Sequence, residues 1–142
     1  MGDDRFVNHV PSNDRAKLRA TAVTIGTPDP RALAAFYARL LGADVDASEL
    51  PHPGEPENAG WAQVRTATVT LNFEFERYWE APVWPARHGR QVSTQHLDIW
   101  VDDLDGAVAW ALECGARLAE HQPQDGVRVM RDPVGHPFCL FR

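Results

Sequence analysis

Cysteine is scarce in this chain: Cys114 and Cys139 are the only two among 142 residues. Two thiols are too few for a disulfide framework. Neither belongs to a Cys-x-x-Cys pair, so a structural zinc site of that pattern is excluded. Long apolar runs are missing as well. None approaches the roughly 20 residues that a membrane-spanning helix requires, and residues 1–17 hold no apolar signal core. Positive charge is in deficit: Lys and Arg total 14 against 20 Asp and Glu, a net charge of -6. The arginines are scattered and form no basic stripe of the kind that phosphate recognition needs, which excludes nucleic acid as a partner. These absences predict a cytoplasmic protein with no membrane partner. Hydrophobic residues make up 44%, enough for a core, and the length suits one compact unit.

The chain repeats itself. The segment Thr21–Asp29 leads into Leu33, Phe36, Tyr37, Leu40 and Leu41 and stops at Gly42-Ala43. The segment Gln95–Asp103 leads into Leu104, Ala107, Val108, Ala111 and Leu112 and stops at Gly115-Ala116. Ile25 answers Ile99, Asp29 answers Asp103, and Phe36 answers Trp110. Internal repetition fixes the architecture ahead of any single motif, and it points to a site between the halves. Asp29 and Asp103 are N-caps, with Pro30 at a first helical position. Apolar residues at i, i+3, i+4, i+7 and i+8 bury one face of the first helix, and Gly42 and Gly115 end the helices.

Each half therefore reads as strand, helix, then three short strands. Strands are predicted over 18–26, 43–50, 61–65 and 68–76, then over 94–101, 117–122, 127–131 and 137–142. Asp132-Pro133-Val134-Gly135 has the residues of a type I turn. The predicted organisation is a flexible N-terminal arm (1–17) followed by a single domain (18–142). That domain comprises module 1 (18–76), a Pro- and Trp-containing crossover (77–93) and module 2 (94–142). The fold class is α+β: two tandem βαβββ modules form a curled mixed sheet with a central cavity, helices outside.

Strand alternation assigns faces. Leu97, Ile99 and Val101 share one side; His96, Asp98 and Trp100 share the other. Asn72, Glu74 and Glu76 lie opposite Leu71, Phe73 and Phe75. The polar and aromatic faces then line the concave side, as ligand pockets usually require. His96 reads either as an imidazole metal ligand or as a pocket histidine bonded to a carboxylate. Glu74 is a candidate base for abstracting a proton beside a carbonyl, or else sits on a solvated strand face. Cys139 is either a soft ligand or a small buried hydrophobe. Trp110, the counterpart of Phe36, is expected in the core, and Cys114 in packing. His136 is expected at the rim or holding its turn. Tyr78, Trp79 and Trp84 read as a pocket cap or a dimer seam.

Three stretches carry a resemblance: Asp29–Tyr37 followed by Leu41-Gly42, His96–Leu104, and Asp132–Leu140. With the paired modules, they resemble the vicinal oxygen chelate superfamily, which includes glyoxalase I, extradiol dioxygenases, and bleomycin- and fosfomycin-resistance proteins. The run Gly135–Leu140 is similar to the glyoxalase-like branch. The resemblance implies metal ligands on the first and last strands of each module. It assigns His96 and Glu74 as ligands, and puts Ala22 and Cys139 where a ligating side chain is usual. It implies a divalent ion (zinc, iron, manganese or nickel), a homodimer and a small-molecule ligand. The expected site has Glu74 as the catalytic group and Trp61, Asp98, Trp100, Cys139 and Phe141 against the substrate.

Three functions follow as expectations. One is a metal-dependent lyase, isomerase or oxygenase, in which the ion polarises substrate oxygens. The alternative is a metal-free protein that sequesters a ligand, of the bleomycin-resistance type; the acidic balance would favour a cationic ligand there. The third is a cofactorless isomerase or hydrolase with Glu74 and His96 as an acid–base pair.

Overall fold

The computed structural model describes residues 16–142. Of the expected arm, only Ala16 and Lys17 fall within that range, both exposed; residues 1–15 lie outside the described residues. Both expected caps are made. The Asp29 carboxylate accepts the Ala32 N–H at 3.1 Å and starts α1 (Pro30–Leu41). Asp103 accepts the Gly106 N–H at 3.1 Å and starts α2 (Leu104–Cys114). Gly42 and Gly115 stop the helices at φ 64° and 111°, a left-handed conformation open to glycine without a Cβ clash. Among the described residues no helix is long and apolar enough to cross a membrane.

The first module has β1 (Ala22–Thr27), β2 (Val45–Glu49), β3 (Trp61–Arg65) and β4 (Thr70–Phe75), in the order β1-β4-β3-β2. The second has β5 (Asp98–Trp100), β6 (Arg117–Leu118), β7 (Val127–Arg131) and β8 (Pro137–Phe141), in the order β5-β8-β7-β6. In each sheet the first strand runs parallel to the last, and the remaining pairs are antiparallel. The result is an α+β fold of two tandem modules, as the repeat requires, with two curled, unclosed four-stranded sheets.

Several strands are shorter than their sequence pattern, each for a local reason. Residues 18–21 pair with no strand among the described residues, because β4 begins at Thr70, opposite Ala22. Residues 94–96 lie outside β5. Cys139 N–H bonds Leu97 O at 2.9 Å, but the next donor back along β8 is Pro137, which has no N–H. The expected strand 117–122 stops at Leu118 because the Gln122 side chain replaces the backbone. Its carboxamide accepts the Val129 N–H at 2.8 Å and donates to Val129 O at 2.9 Å. Trp110 departs from expectation too: it is 40% exposed, whereas Phe36 is 6% exposed. Its indole N–H donates to Leu40 O at 3.1 Å, with the Arg39 guanidinium over the ring. It therefore closes the end of α1 from outside.

The two modules share one core. Tyr37 on α1 stacks on Phe73 of its own sheet at 5.6 Å and meets Phe138 of the other module edge-on at 6.1 Å. Its hydroxyl donates to Asp132 Oδ2 at 2.9 Å. Asp132 is completely buried. Its Oδ1 accepts the N–H groups of Val134, Gly135 and His136 at 3.2, 2.9 and 2.9 Å, which fixes the expected turn. Its Oδ2 also meets His136 Nδ1 at 2.7 Å, while His136 Nε2 reaches Gly26 O on β1 at 2.9 Å. Both ring nitrogens face acceptors, and only the doubly protonated ring donates to both. A buried carboxylate is tolerated when so fully bonded, and here its partners come from both modules.

Removing this group should be costly. Asp132→Ala is expected to lower unfolding free energy by about 3–5 kcal/mol, the cost of breaking a buried charged cluster, measured by urea denaturation. Tyr37→Phe should cost about 1.5–3 kcal/mol, the worth of a hydrogen bond to a charged acceptor. Burial, then the charge of Asp132 and its hydrogen bond, hold the Tyr37 hydroxyl well above the usual value of 10.0. Above that pH the unfolded chain loses a proton that the folded chain keeps, so stability falls as pH rises. Stability measured above pH 10.0 should fall less steeply in Tyr37→Phe than in the unsubstituted protein.

Candidate functional site

A cleft of about 770 Å³ opens between the modules. One wall is β1, from Val23 to Gly26; the facing wall is the stretch 93–97, which precedes β5. Tyr37 and His136 form part of its lining, with Glu76 from the end of the first module and Tyr78, Trp79 and Glu80 from the crossover. The Pro137 break described above accounts for the second wall: residues released from the ladder line the gap, among them the polar Ser93, Thr94, Gln95 and His96. Trp79 lies against the His136 imidazole, ring centroids 4.5 Å apart and tilted by 48°. Thus the histidine that ties the modules together also supports an aromatic plane in the cleft. Glu76 N–H bonds Thr27 O at 2.9 Å, continuing the β1–β4 pairing by one residue and fixing where the crossover leaves the sheet.

The expected site residues fall in three places. His96 alone among them lines the cleft. It gathers Asp98 and Cys139: His96 Nε2 stands 3.1 Å from Asp98 Oδ1, and the ligating atoms of all three lie within 4.8 Å of one another. Strand geometry accounts for the group. His96 and Asp98 are two residues apart on one face, and Asp98 is the direct register partner of Cys139 in the parallel β5–β8 pair. Trp100 and Phe141 are the next register pair on the same two strands, with Trp100 66% exposed. Trp61 and Glu74 form a register pair in the first module's sheet. Glu74 is exposed, does not line the cleft and does not belong to the His96 group. Glu76, two residues on, is the carboxylate that the cleft wall contains.

Sequence reasoning missed Tyr37 in the cleft lining and the buried Asp132 that holds its hydroxyl. The turn signal at Asp132 was legible, but its contact with Tyr37 spans 95 residues of sequence and leaves no local pattern. Cys114 and Cys139 are both free thiols, half-buried. Burial, then the charge of Asp98 and its hydrogen bond, push the Cys139 thiol above the usual 9.0.

Comparison with known proteins agrees with the fold. The family model for the glyoxalase-like domain matches residues 22–141. No curated protein matches the chain. Among solved structures, a glyoxalase family protein from Enterococcus faecalis is 20% identical, over 87% of this chain and 97% of that one, with a TM-score of 0.63. A glyoxalase/bleomycin resistance protein/dioxygenase family enzyme from Burkholderia phytofirmans PsJN is 18% identical, over 84% and 94%, with a TM-score of 0.57. A mutant of the fosfomycin resistance protein FosX from Listeria monocytogenes, in complex with Mn(II) and 1S,2S-dihydroxypropylphosphonic acid, is 12% identical, over 89% and 93%, with a TM-score of 0.66.

The Cys139 environment has a direct readout. In a Cys114→Ser background, with chelator present, alkylation of Cys139 by iodoacetamide should reach half its maximal rate above pH 9.0. Asp98→Asn should move that midpoint down, because it removes the neighbouring negative charge. An unchanged midpoint would show that Asp98 does not act on the thiol.

Proposed function

The chain belongs to the glyoxalase-like domain family, and from that premise we propose that it binds a small organic molecule in the cleft between its two modules. The observation that supports this reading most strongly is the cleft itself. Its volume of about 770 Å³ is typical of a small-molecule site, as is its mixture of apolar walls and a few convergent polar groups. Trp79 and Tyr78 offer π faces, and Glu76 and Glu80 offer negative charge beside them. With a net charge of -6, that lining suits a cation with a flat or apolar body. In this reading the protein sequesters its ligand without chemistry.

The second reading is a metal-dependent lyase, isomerase or oxygenase, and the His96–Asp98–Cys139 group is what favours it. An ion of the zinc, iron, manganese or nickel class bound through His96 would stand at the cleft wall and supply Lewis-acid polarisation. FosX, in complex with Mn(II), is a precedent for an ion on this fold. The set of four ligand positions implied by the resemblance fits poorly here: Ala22 offers no donor, and Glu74 lies away from the His96 group. Sequestration is therefore the leading reading.

We further propose that the chain pairs with a second copy. Among the described residues the edge strands β1, β2, β5 and β6 each bond one neighbour only, and on two of them, β1 and β5, Val23 and Trp100 are 38% and 66% exposed. Open edges with exposed apolar side chains invite a partner.

Tryptophan fluorescence titration with cationic, neutral and anionic aromatic probes tests the ligand reading. Saturable quenching by the cation is expected, weakened at least about 10-fold, or 1.4 kcal/mol, by Trp79→Ala or Glu76→Gln. Equal response to all three charge classes would overturn the cationic reading. Sedimentation equilibrium should return the mass of two chains, and Trp100→Asp should shift it toward one; a single-chain mass for the unsubstituted protein would sink the pairing.

A further inference from the structure

We infer that the second module alone holds a thiophilic divalent cation, on His96 Nε2, Asp98 and Cys139 Sγ. This deepens the metal half of the functional reading, and it rests on His96 standing at the cleft wall.

The donors are a nitrogen, an oxygen and a sulfur: Asp98 and Cys139 come from adjacent strands of one sheet, and His96 from the segment just before β5. No residue of the first module takes part. Asp98 and Cys139 are held opposite one another by the β5–β8 register, and His96 lies two residues before Asp98 on the same face. Tetrahedral zinc, with bonds of about 2.0–2.3 Å, needs its donors roughly 3.4–3.6 Å apart. The His96–Asp98 pair, at 3.1 Å, is already close to that spacing. The widest separation, within 4.8 Å, has to shrink by about 1 Å. Side-chain rotation supplies such a change where the groups are free to turn: the His96 and Asp98 side chains are 45% and 62% exposed.

Donor chemistry selects the ion. A thiolate beside an imidazole and a carboxylate favours zinc or its cobalt and cadmium analogues over manganese, magnesium or calcium. Binding replaces the thiol proton: the ion enters, the Cys139 S–H proton leaves to solvent, and no electron is transferred. Three protein donors leave a fourth position open, the pattern of an ion that can also accept a ligand atom. Because His96 belongs both to the triad and to the cleft lining, that ligand is a cleft occupant or water. A hard-ion centre spanning both modules would instead need a donor from the first module.

Cobalt(II) titration of the metal-free protein in a Cys114→Ser background tests this, since Cys139 is then the sole thiol. The expected result is one cobalt per chain, with a thiolate-to-cobalt charge-transfer band and tetrahedral visible absorption. Zinc should displace the cobalt; manganese at the same concentration should not. Cys139→Ser should abolish the charge-transfer band, and Asp98→Asn or His96→Ala should weaken binding at least 10-fold, with circular dichroism confirming the fold of each variant. Absence of the band, or binding that survives Cys139→Ser, would overturn the assignment. Equal weakening by Glu74→Gln would show a centre spanning both modules and would overturn it too. Probe binding in the cleft without metal is read separately by fluorescence, so each of the two readings can fail on its own.

Discussion

The buried carboxylate of Asp132 is the constraint on which this architecture turns. A fully buried charge is tolerable only when its acceptor capacity is spent. Here one oxygen closes the turn before β8 through three backbone N–H groups, and the other takes the Tyr37 hydroxyl and the His136 ring. Two of those partners reach into the first module: Tyr37 sits on α1, and His136 passes the connection on to Gly26 of β1. The modules are therefore joined by a polar knot inside an aromatic core, where Tyr37 also touches Phe73 and Phe138. Oil-like packing alone would tolerate small slips between two similar sheets. Directional bonds to one buried group fix their register.

The cleft follows from that junction. β1 and the stretch 93–97 face each other across a gap, and the bonds between modules that border it run through His136 and Tyr37 and not through a strand ladder. Pro137 contributes by ending the β5–β8 ladder early, which frees the segment that carries His96. Trp79 leans on the same His136. Structural and cleft-lining positions thus converge on one imidazole. The His96–Asp98–Cys139 group stands a short step away, built from the ordinary spacing of neighbouring parallel strands.

Local rules made much of this legible. Asp29 and Asp103 as caps, Gly42 and Gly115 as stops, the boundaries of β3 and β7, and the turn at Asp132 all depend on residues within a few positions of one another. The shared face of His96 and Asp98 follows from the two-residue period of a strand. Other features were hidden because a distant group decides them. Trp110 answers Phe36 in the repeat, yet the second helix leaves it outside, where Arg39 and Leu40 of the first helix meet it. Glu74 and Glu76 share a face, and alternation alone could not tell which of them reaches the cleft. That depends on where the crossover leaves the sheet.

By itself the sequence determined two βαβββ modules, their order and the polar faces of their strands, because helix caps, periodicity and turns are short-range physics. The tertiary structure alone decided that Asp132 would be buried against Tyr37, 95 residues away, and that His136 would tie to Gly26 across 110. It also decided that Cys139 would stand opposite Asp98 beside His96. Those contacts depend on how two sheets settle against one another. That is fixed by packing and by the need to satisfy one buried charge, and no local pattern encodes it.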